Sequence, residues 1–226
     1  VSLNSKDPQK SGLSQTAGAP VIRILGIDPG SRMTGFGVVD LVGRQLKPVA
    51  HGTLKIMSTS GRATLSLDAR LLKIHRELTQ VIEQYRPQVM AVERVFFAKN
   101  AVSALKLGQA RGAIILCGAI QGLDVVEYSP TEIKAGVVGH GGADKSQVAR
   151  MVGILTGMKD FATSDASDAV AIAICHAQNL ASRGTARALF DQGGSRAQTS
   201  LPKSGRKRLS LAEAVGMVSP SRSKSK

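Results

Sequence analysis

Four carboxylates stand at positions where their chemistry asks for an explanation. Asp28 closes the run Ile24-Leu25-Gly26-Ile27-Asp28-Pro29-Gly30, and Glu93 closes Val89-Met90-Ala91-Val92-Glu93. Asp165 and Asp168 lie in Ser164-Asp165-Ala166-Ser167-Asp168-Ala169, just ahead of the apolar stretch Val170-Ala171-Ile172-Ala173. Singly, each has a plain reading: an Asx turn for Asp28, an exposed strand end for Glu93, and a complement to a helix dipole for either of the later pair. Residues three apart share a helix face, however, and two carboxylates on one face repel each other unless a cation lies between them. Strand-end carboxylates and a first-turn pair can meet at one edge of an α/β sheet, where they supply hard oxygen ligands for Mg²⁺, with Mn²⁺ as substitute. Two such ions about 4 Å apart activate water and stabilise the leaving oxygen of an in-line phosphodiester displacement. Asp28, Glu93, Asp165 and Asp168 are therefore the candidate catalytic residues and the candidate metal ligands.

The elements that must position them are legible as patterns. Val21–Asp28, Met33–Val39 and Leu46–Ile56 are β-like runs separated by turn residues, which predicts a three-stranded antiparallel meander. Leu67, Leu71, Ile74, Leu78, Ile82 and Tyr85 recur at spacings of three and four, predicting a helix that Pro87 closes. Gln88–Val92 reads as a buried strand delivering Glu93. Asn100 is placed to cap a helix running to about Gln121, with apolar or small residues on more than one face, a pattern that suits equally a helix buried within a single domain and one with one face on the sheet and another on a partner subunit. A strand at Asp124–Glu127 follows, then helical stretches near Pro130–Ala135 and Asp144–Leu155, then a helix over Ser164–Ser182. The order implies an α/β fold of the ribonuclease H type, a mixed five-stranded sheet with helices on both faces.

Residues 1–20 are rich in Ser, Gly, Gln and Lys, and residues 183–226 in Ser, Gly, Arg and Lys, without sustained apolar periodicity; a disordered leader and a basic, mostly disordered tail are expected to flank a nuclease domain at 21–182. The formal charge is +14, and ten Lys or Arg against Asp191 and Glu213 place a net +8 of it after Ser182. Such a balance points to a polyanionic partner, nucleic acid first, with the tail adding nonspecific affinity. Cys117 and Cys175 sit among apolar neighbours, as buried thiols rather than a disulfide or zinc set. With no long apolar span and no secretory leader, the expectation is a soluble, cytoplasmic protein with no membrane contact.

The motifs also carry a family likeness. Gly26-Ile27-Asp28-Pro29-Gly30-Ser31, Glu93-Arg94-Val95-Phe96 with Ala98-Lys99-Asn100, Ser103–Gly112, Val137-Val138-Gly139, Lys145-Ser146-Gln147-Val148 and Asp165-Ala166-Ser167-Asp168-Ala169 resemble, in order, those of the RuvC family of bacterial Holliday-junction resolvases. The likeness spans about residues 22–180. It implies a ribonuclease H-like homodimer that nicks a four-way DNA junction symmetrically and leaves 5′-phosphate ends, with Asp28, Glu93, Asp165 and Asp168 as its tetrad and two Mg²⁺ per subunit. By analogy Asp28 bridges the metals, with Glu93 on one side and the helix pair on the other. The resemblance further implies that Phe96 contacts bases near the junction centre, that Lys134 and Lys145 lie near the active site and phosphates, and that the branch-migration helicase complex of RuvA and RuvB is a partner. Read without the family, Phe96 is a core residue and the lysines are solvated.

Three other readings compete. Gly-Ile-Asp-Pro-Gly-Ser also resembles the first phosphate loop of actin-like phosphotransferases, but those enzymes need two such domains and do not call for the Asp165–Asp168 pair. A noncatalytic junction binder has no need of all four carboxylates. A ribonuclease H-like nuclease acting on RNA fits the carboxylates equally well. His140, in the Gly139–Gly142 loop, is read as exposed and is not assigned a catalytic role.

Overall fold

The computed structural model describes residues 20–30, 32–56, 65–94, 101–158, 161 and 163–193. The chain divides into two compact units, Val1–Ala188 and Leu189–Lys226. The sheet and the site belong to the first; of the second, the described residues are helical and end at Gly193. The expected leader before residue 20 lies outside the described residues, as does the tail beyond residue 193.

Strands β1 (Val21–Asp28), β2 (Met33–Val42) and β3 (Gln45–Lys55) form the antiparallel meander. β2 runs three residues past its expected end at Val39, because pairing with β1 and β3 continues until Gly43-Arg44 turns the hairpin. Gly43 has φ +62°, as the first central position of a two-residue hairpin of this hand requires. Helix α1 (Leu67–Tyr85) leads into β4 (Val89–Glu93), α2 (Ala101–Ile120) into β5 (Asp124–Tyr128), and α3 (Pro130–Val138), α4 (Lys145–Thr156) and α5 (Ser164–Gly193) complete the order. Asn100, the expected cap of α2, lies outside the described residues. Ser129 and Asp144 start α3 and α4 as capping boxes with Glu132 and Gln147.

The strand order is β3-β2-β1-β4-β5, with β4 parallel to both β1 and β5. Side chains alternate across the pleat, so Leu25, Ile27, Met90 and Val92 face Ile74, Leu78, Ile114 and Cys117 of α1 and α2. Ile24 and Ala91 face the other way, onto Ile133, Val148 and the small-residue face of α5. Helices therefore cover both faces of a five-stranded mixed sheet, as the element order implied. Both cysteines are buried free thiols, and burial raises each above its ordinary range, Cys175 to about 12.

One helix end differs from expectation. α5 continues to Gly193, eleven residues beyond Ser182. Gly184 does not end it: a single interior glycine costs a helix only about 1 kcal/mol, and Ala186, Ala188 and Leu189 favour continuation. No helix among the described residues is long and apolar enough to cross a membrane.

Candidate metal centre

Register brings the first two carboxylates together. Ile27 pairs with Val92 across the parallel β1–β4 ladder, so Asp28 and Glu93 emerge side by side from the carboxyl ends of neighbouring strands. Chain direction reverses at β1, between antiparallel β2 and parallel β4. That junction is where open α/β sheets leave a crevice for ligands. The turn after Asp28 is fixed by Thr34, fully buried, whose Oγ1 lies 3.4 Å from the Gly30 carbonyl it donates to. The backbone after Glu93 is fixed in turn: the Arg94 amide donates to the Tyr128 carbonyl at 2.7 Å, and its guanidinium to the Glu127 carbonyl at 3.2 Å.

Packing of α5 delivers the second pair. Thr163 Oγ1 accepts from the Ala166 amide at 3.2 Å, closing the first turn. The helix then lies directly on glycines: a Cβ at Gly26 would stand 2.1 Å from the Ala169 carbonyl oxygen, and one at Gly35 would stand 2.0 Å from that of Asp165. Gly35 is also the register partner of Asp28. With no side chain between sheet and helix at these two positions, the first turn of α5 sits at the end of β1.

Asp28, Asp165 and Asp168 consequently each offer a carboxylate oxygen within 4.8 Å of the others. Glu93 is outside this trio but shares a hydrogen bond with Asp28. Asp28 thus belongs to both contacts. Burial first, then the charges of Glu93 and Asp168, push its carboxyl from 3.8 up to about 8. Burial raises Glu93 as well. Half-buried carboxylates that hold protons against each other accept a divalent cation in place of those protons, and the donors are the hard oxygens that Mg²⁺ and Mn²⁺ prefer. The residues present fit such an ion.

A cavity of about 410 Å³ opens beside the cluster, lined by Asp28, Glu93, Asp168, Lys134 and Lys145 over an apolar floor that includes Ile133. Lys145 Nζ lies 2.7 Å from Asp168 Oδ2. Both lysines suggested by the family likeness are therefore brought to the site, whereas Phe96 lies outside the described residues. His140 is exposed, as expected. The sequence reading gave no role to Thr34, Gly35 or Arg94. Gly35 and Gly37 left a signal, since glycine inside a strand often marks close backbone approach; the two other residues left none.

The family model for crossover junction endodeoxyribonuclease RuvC matches residues 24–176. The crossover junction endodeoxyribonuclease RuvC of Geobacter sulfurreducens is 48% identical over 168 residues, covering 74% of this chain and 99% of that protein. That of Idiomarina loihiensis is 50% identical over 160 residues, covering 70% and 89%. Among solved structures, Thermus thermophilus RuvC in complex with a Holliday junction substrate superposes with a TM-score of 0.65 at 32% identity, covering 72% of this chain and 96% of that one. The yeast mitochondrial Holliday junction resolvase Ydc2, at 13% identity, TM-score 0.59, and coverage of 79% and 87%, shares the fold. Two strand ends and a helix that bring four carboxylates together, and a family match over nearly the whole of the sheet that carries them, agree: the chain belongs to the RuvC family.

Proposed function

We propose that this chain is a structure-selective endodeoxyribonuclease that resolves four-way DNA junctions by paired, symmetrical cleavage, as part of recombination and repair. The observation that carries the reading is the convergence of Asp28, Asp165 and Asp168, with Glu93 against Asp28, at the carboxyl edge of β1 and β4. In this reading the four residues hold two Mg²⁺ per subunit, replaceable by Mn²⁺. Bound there, the metal supplies an activated water and charge stabilisation for the leaving 3′-oxygen, so that cleavage leaves 5′-phosphate ends. The protein's own contribution is placement. Asp28, shared between Glu93 and the aspartate trio, fixes the distance between the two halves of the cluster. Lys134 and Lys145 set positive charge at the cavity mouth, where the backbone phosphate arrives, and the apolar floor limits water beside it. Phe96 is assigned to stacking on bases near the junction centre, worth about 1–3 kcal/mol per base. Residues 21–182 form the nuclease domain in this reading, and the net +8 of the segment after it adds salt-dependent DNA affinity. Reduced, buried cysteines suit a cytoplasmic enzyme, and family membership supports RuvA and RuvB as its branch-migration partners.

The direct test is a labelled synthetic four-way junction incubated with the full chain in Mg²⁺ and in EDTA. The expected result is two symmetrical nicks in Mg²⁺, religatable because they carry 5′-phosphates, and binding without cleavage in EDTA. Single-site cutting of RNA hairpins in preference to junctions would favour the ribonuclease reading instead.

Paired nicks require two active sites, and α2 supports a homodimer. Val102, Leu105, Leu116 and Ile120 are each about 60% exposed on this helix. Gly108 and Gly112 lie on the same side, with nothing within 4 Å of where a Cβ would stand. A row of leucines around glycines four apart lets a second helix approach closely. Leu116→Glu is expected to weaken self-association at least about tenfold, because a charge would be buried at a twofold contact. Light scattering after gel filtration would register a monomer, the melting temperature would hold, and junction cleavage would pass from paired to unpaired nicks. A dimeric Leu116→Glu protein would remove α2 as the interface.

A further inference from the structure

We propose that Lys145 is a built-in counter-ion of the carboxylate cluster that competes with the divalent metal for Asp168, so that metal loading and DNA binding reinforce one another. The inference rests on the metal-centre reading above and goes beyond a phosphate-contact role for the lysine.

Its ammonium nitrogen lies 2.7 Å from Asp168 Oδ2, and Asp168 is one of the three residues whose oxygens lie within 4.8 Å of one another. One carboxylate of the trio therefore already has a cation of its own. The hydrogen bond to Asp168, and then the charges of Asp28 and Asp165, hold Lys145 firmly in its charged form. Lysine and metal would draw on the same oxygens and repel each other at a few ångströms, so a metal that uses Asp168 must displace the ammonium or tolerate it.

The lysine is built to move. It is the first residue of α4, and its backbone is anchored by the Asp144 capping box with Gln147. Its side chain is 68% exposed, whereas that of Asp168 is 28% exposed. A fixed Cα with a solvated four-carbon stem lets the ammonium swing off Asp168 at small cost, and an ammonium, unlike a guanidinium, commits to no planar fork. Lys145 lines the same cavity as Asp28 and Glu93, so a phosphate bound there would offer it a replacement partner. By linkage, DNA that draws the lysine away tightens metal binding, and metal that expels it tightens DNA binding by the same factor.

The test is Mn²⁺ binding to the full chain without DNA, followed by the electron paramagnetic resonance of free Mn²⁺, for wild type, Lys145→Met, Lys145→Arg and Asp168→Asn. Lys145→Met is expected to bind Mn²⁺ about three- to tenfold more tightly at low ionic strength, with the gap narrowing as salt is added, since the lysine is exposed and screened. Lys145→Arg, which keeps the charge, is expected to bind no more tightly than wild type. Asp168→Asn is expected to bind more weakly. Equal or weaker binding by Lys145→Met, with Asp168→Asn still impaired, would overturn the competition and leave the metal centre standing. Indistinguishable binding by wild type and Asp168→Asn would overturn both.

Discussion

Asp28→Asn is expected to reduce junction cleavage by about 10³-fold or more, to leave junction binding intact, and to make the metal-free protein more stable at mildly alkaline pH. The first effect follows from position: Asp28 touches both Glu93 and the aspartate trio, so its loss removes the ligand common to both halves of the cluster. A thousandfold is about 4 kcal/mol of transition-state stabilisation, a modest demand on a shared metal ligand. The stability effect follows from linkage. Burial and the neighbouring charges of Glu93, Asp168 and Asp165 raise the Asp28 carboxyl from 3.8 to about 8 in the folded chain, with Lys145 as the cation bonded to the cluster through Asp168. Between those values the folded protein holds a proton that the unfolded chain has released, so the contribution of Asp28 is fully present below pH 3.8 and is lost as pH rises to about 8. Asparagine has no proton to lose, so the variant should show a shallower decline; Glu93, also raised by burial, keeps the slope from vanishing. Mg²⁺ should reverse the wild-type trend, because binding releases the proton and therefore tightens as pH rises. Thermal melts across this pH range, in EDTA and in Mg²⁺, check the second effect, and single-turnover cleavage checks the first. Cleavage within tenfold of wild type would move the chemistry away from Asp28.

Why the carboxylates were visible in the sequence, and their supports were not, has a physical basis. A strand that is buried on both faces reads as an unbroken apolar run, so Asp28 and Glu93 stood out as the first groups such strands cannot bury. The helix periods and the turns were equally local, and the fold class followed from their order. What was not local was pairing. The Ile27–Val92 register that sets the two strand ends level joins residues 65 apart, and no spacing encodes it. The ion pair of Lys145 with Asp168 depends on how α4 and α5 sit over the sheet, which is set by side-chain volumes on three elements. Thr34 looked like any strand threonine until its hydroxyl was found on Gly30. Family likeness supplied Lys134 and Lys145 where residue patterns left them solvated, and Phe96 rests on that likeness alone.

Glycine against helix is where the geometry is least forgiving, and Gly35→Ala is expected to cost both stability and activity. A methyl group there would stand 2.0 Å from the Asp165 carbonyl oxygen and 2.6 Å from its carbonyl carbon. Those are backbone atoms of the first turn of α5, so no rotamer change relieves the clash; the helix end must lift or the strand must bend. Overpacking of this kind typically costs about 1–3 kcal/mol, and a lift of about 1 Å in the residues carrying Asp165 and Asp168 can reduce a positioned reaction by about 10²-fold. Gly52→Ala is the matching control in the same sheet. Its Cβ would meet the ring of Phe36 at 2.8 Å, a side chain able to turn aside rather than the backbone of a helix. The control should lose about 1 kcal/mol or less and keep cleavage within a few-fold. Chemical unfolding, Mn²⁺ affinity and single-turnover cleavage of both variants separate the two effects. If Gly35→Ala cleaves and binds metal as Gly52→Ala does, α5 is not held in register by the bare strand, and the alignment of the aspartates must come from the Thr163 cap and the helix's own contacts with α3 and α4.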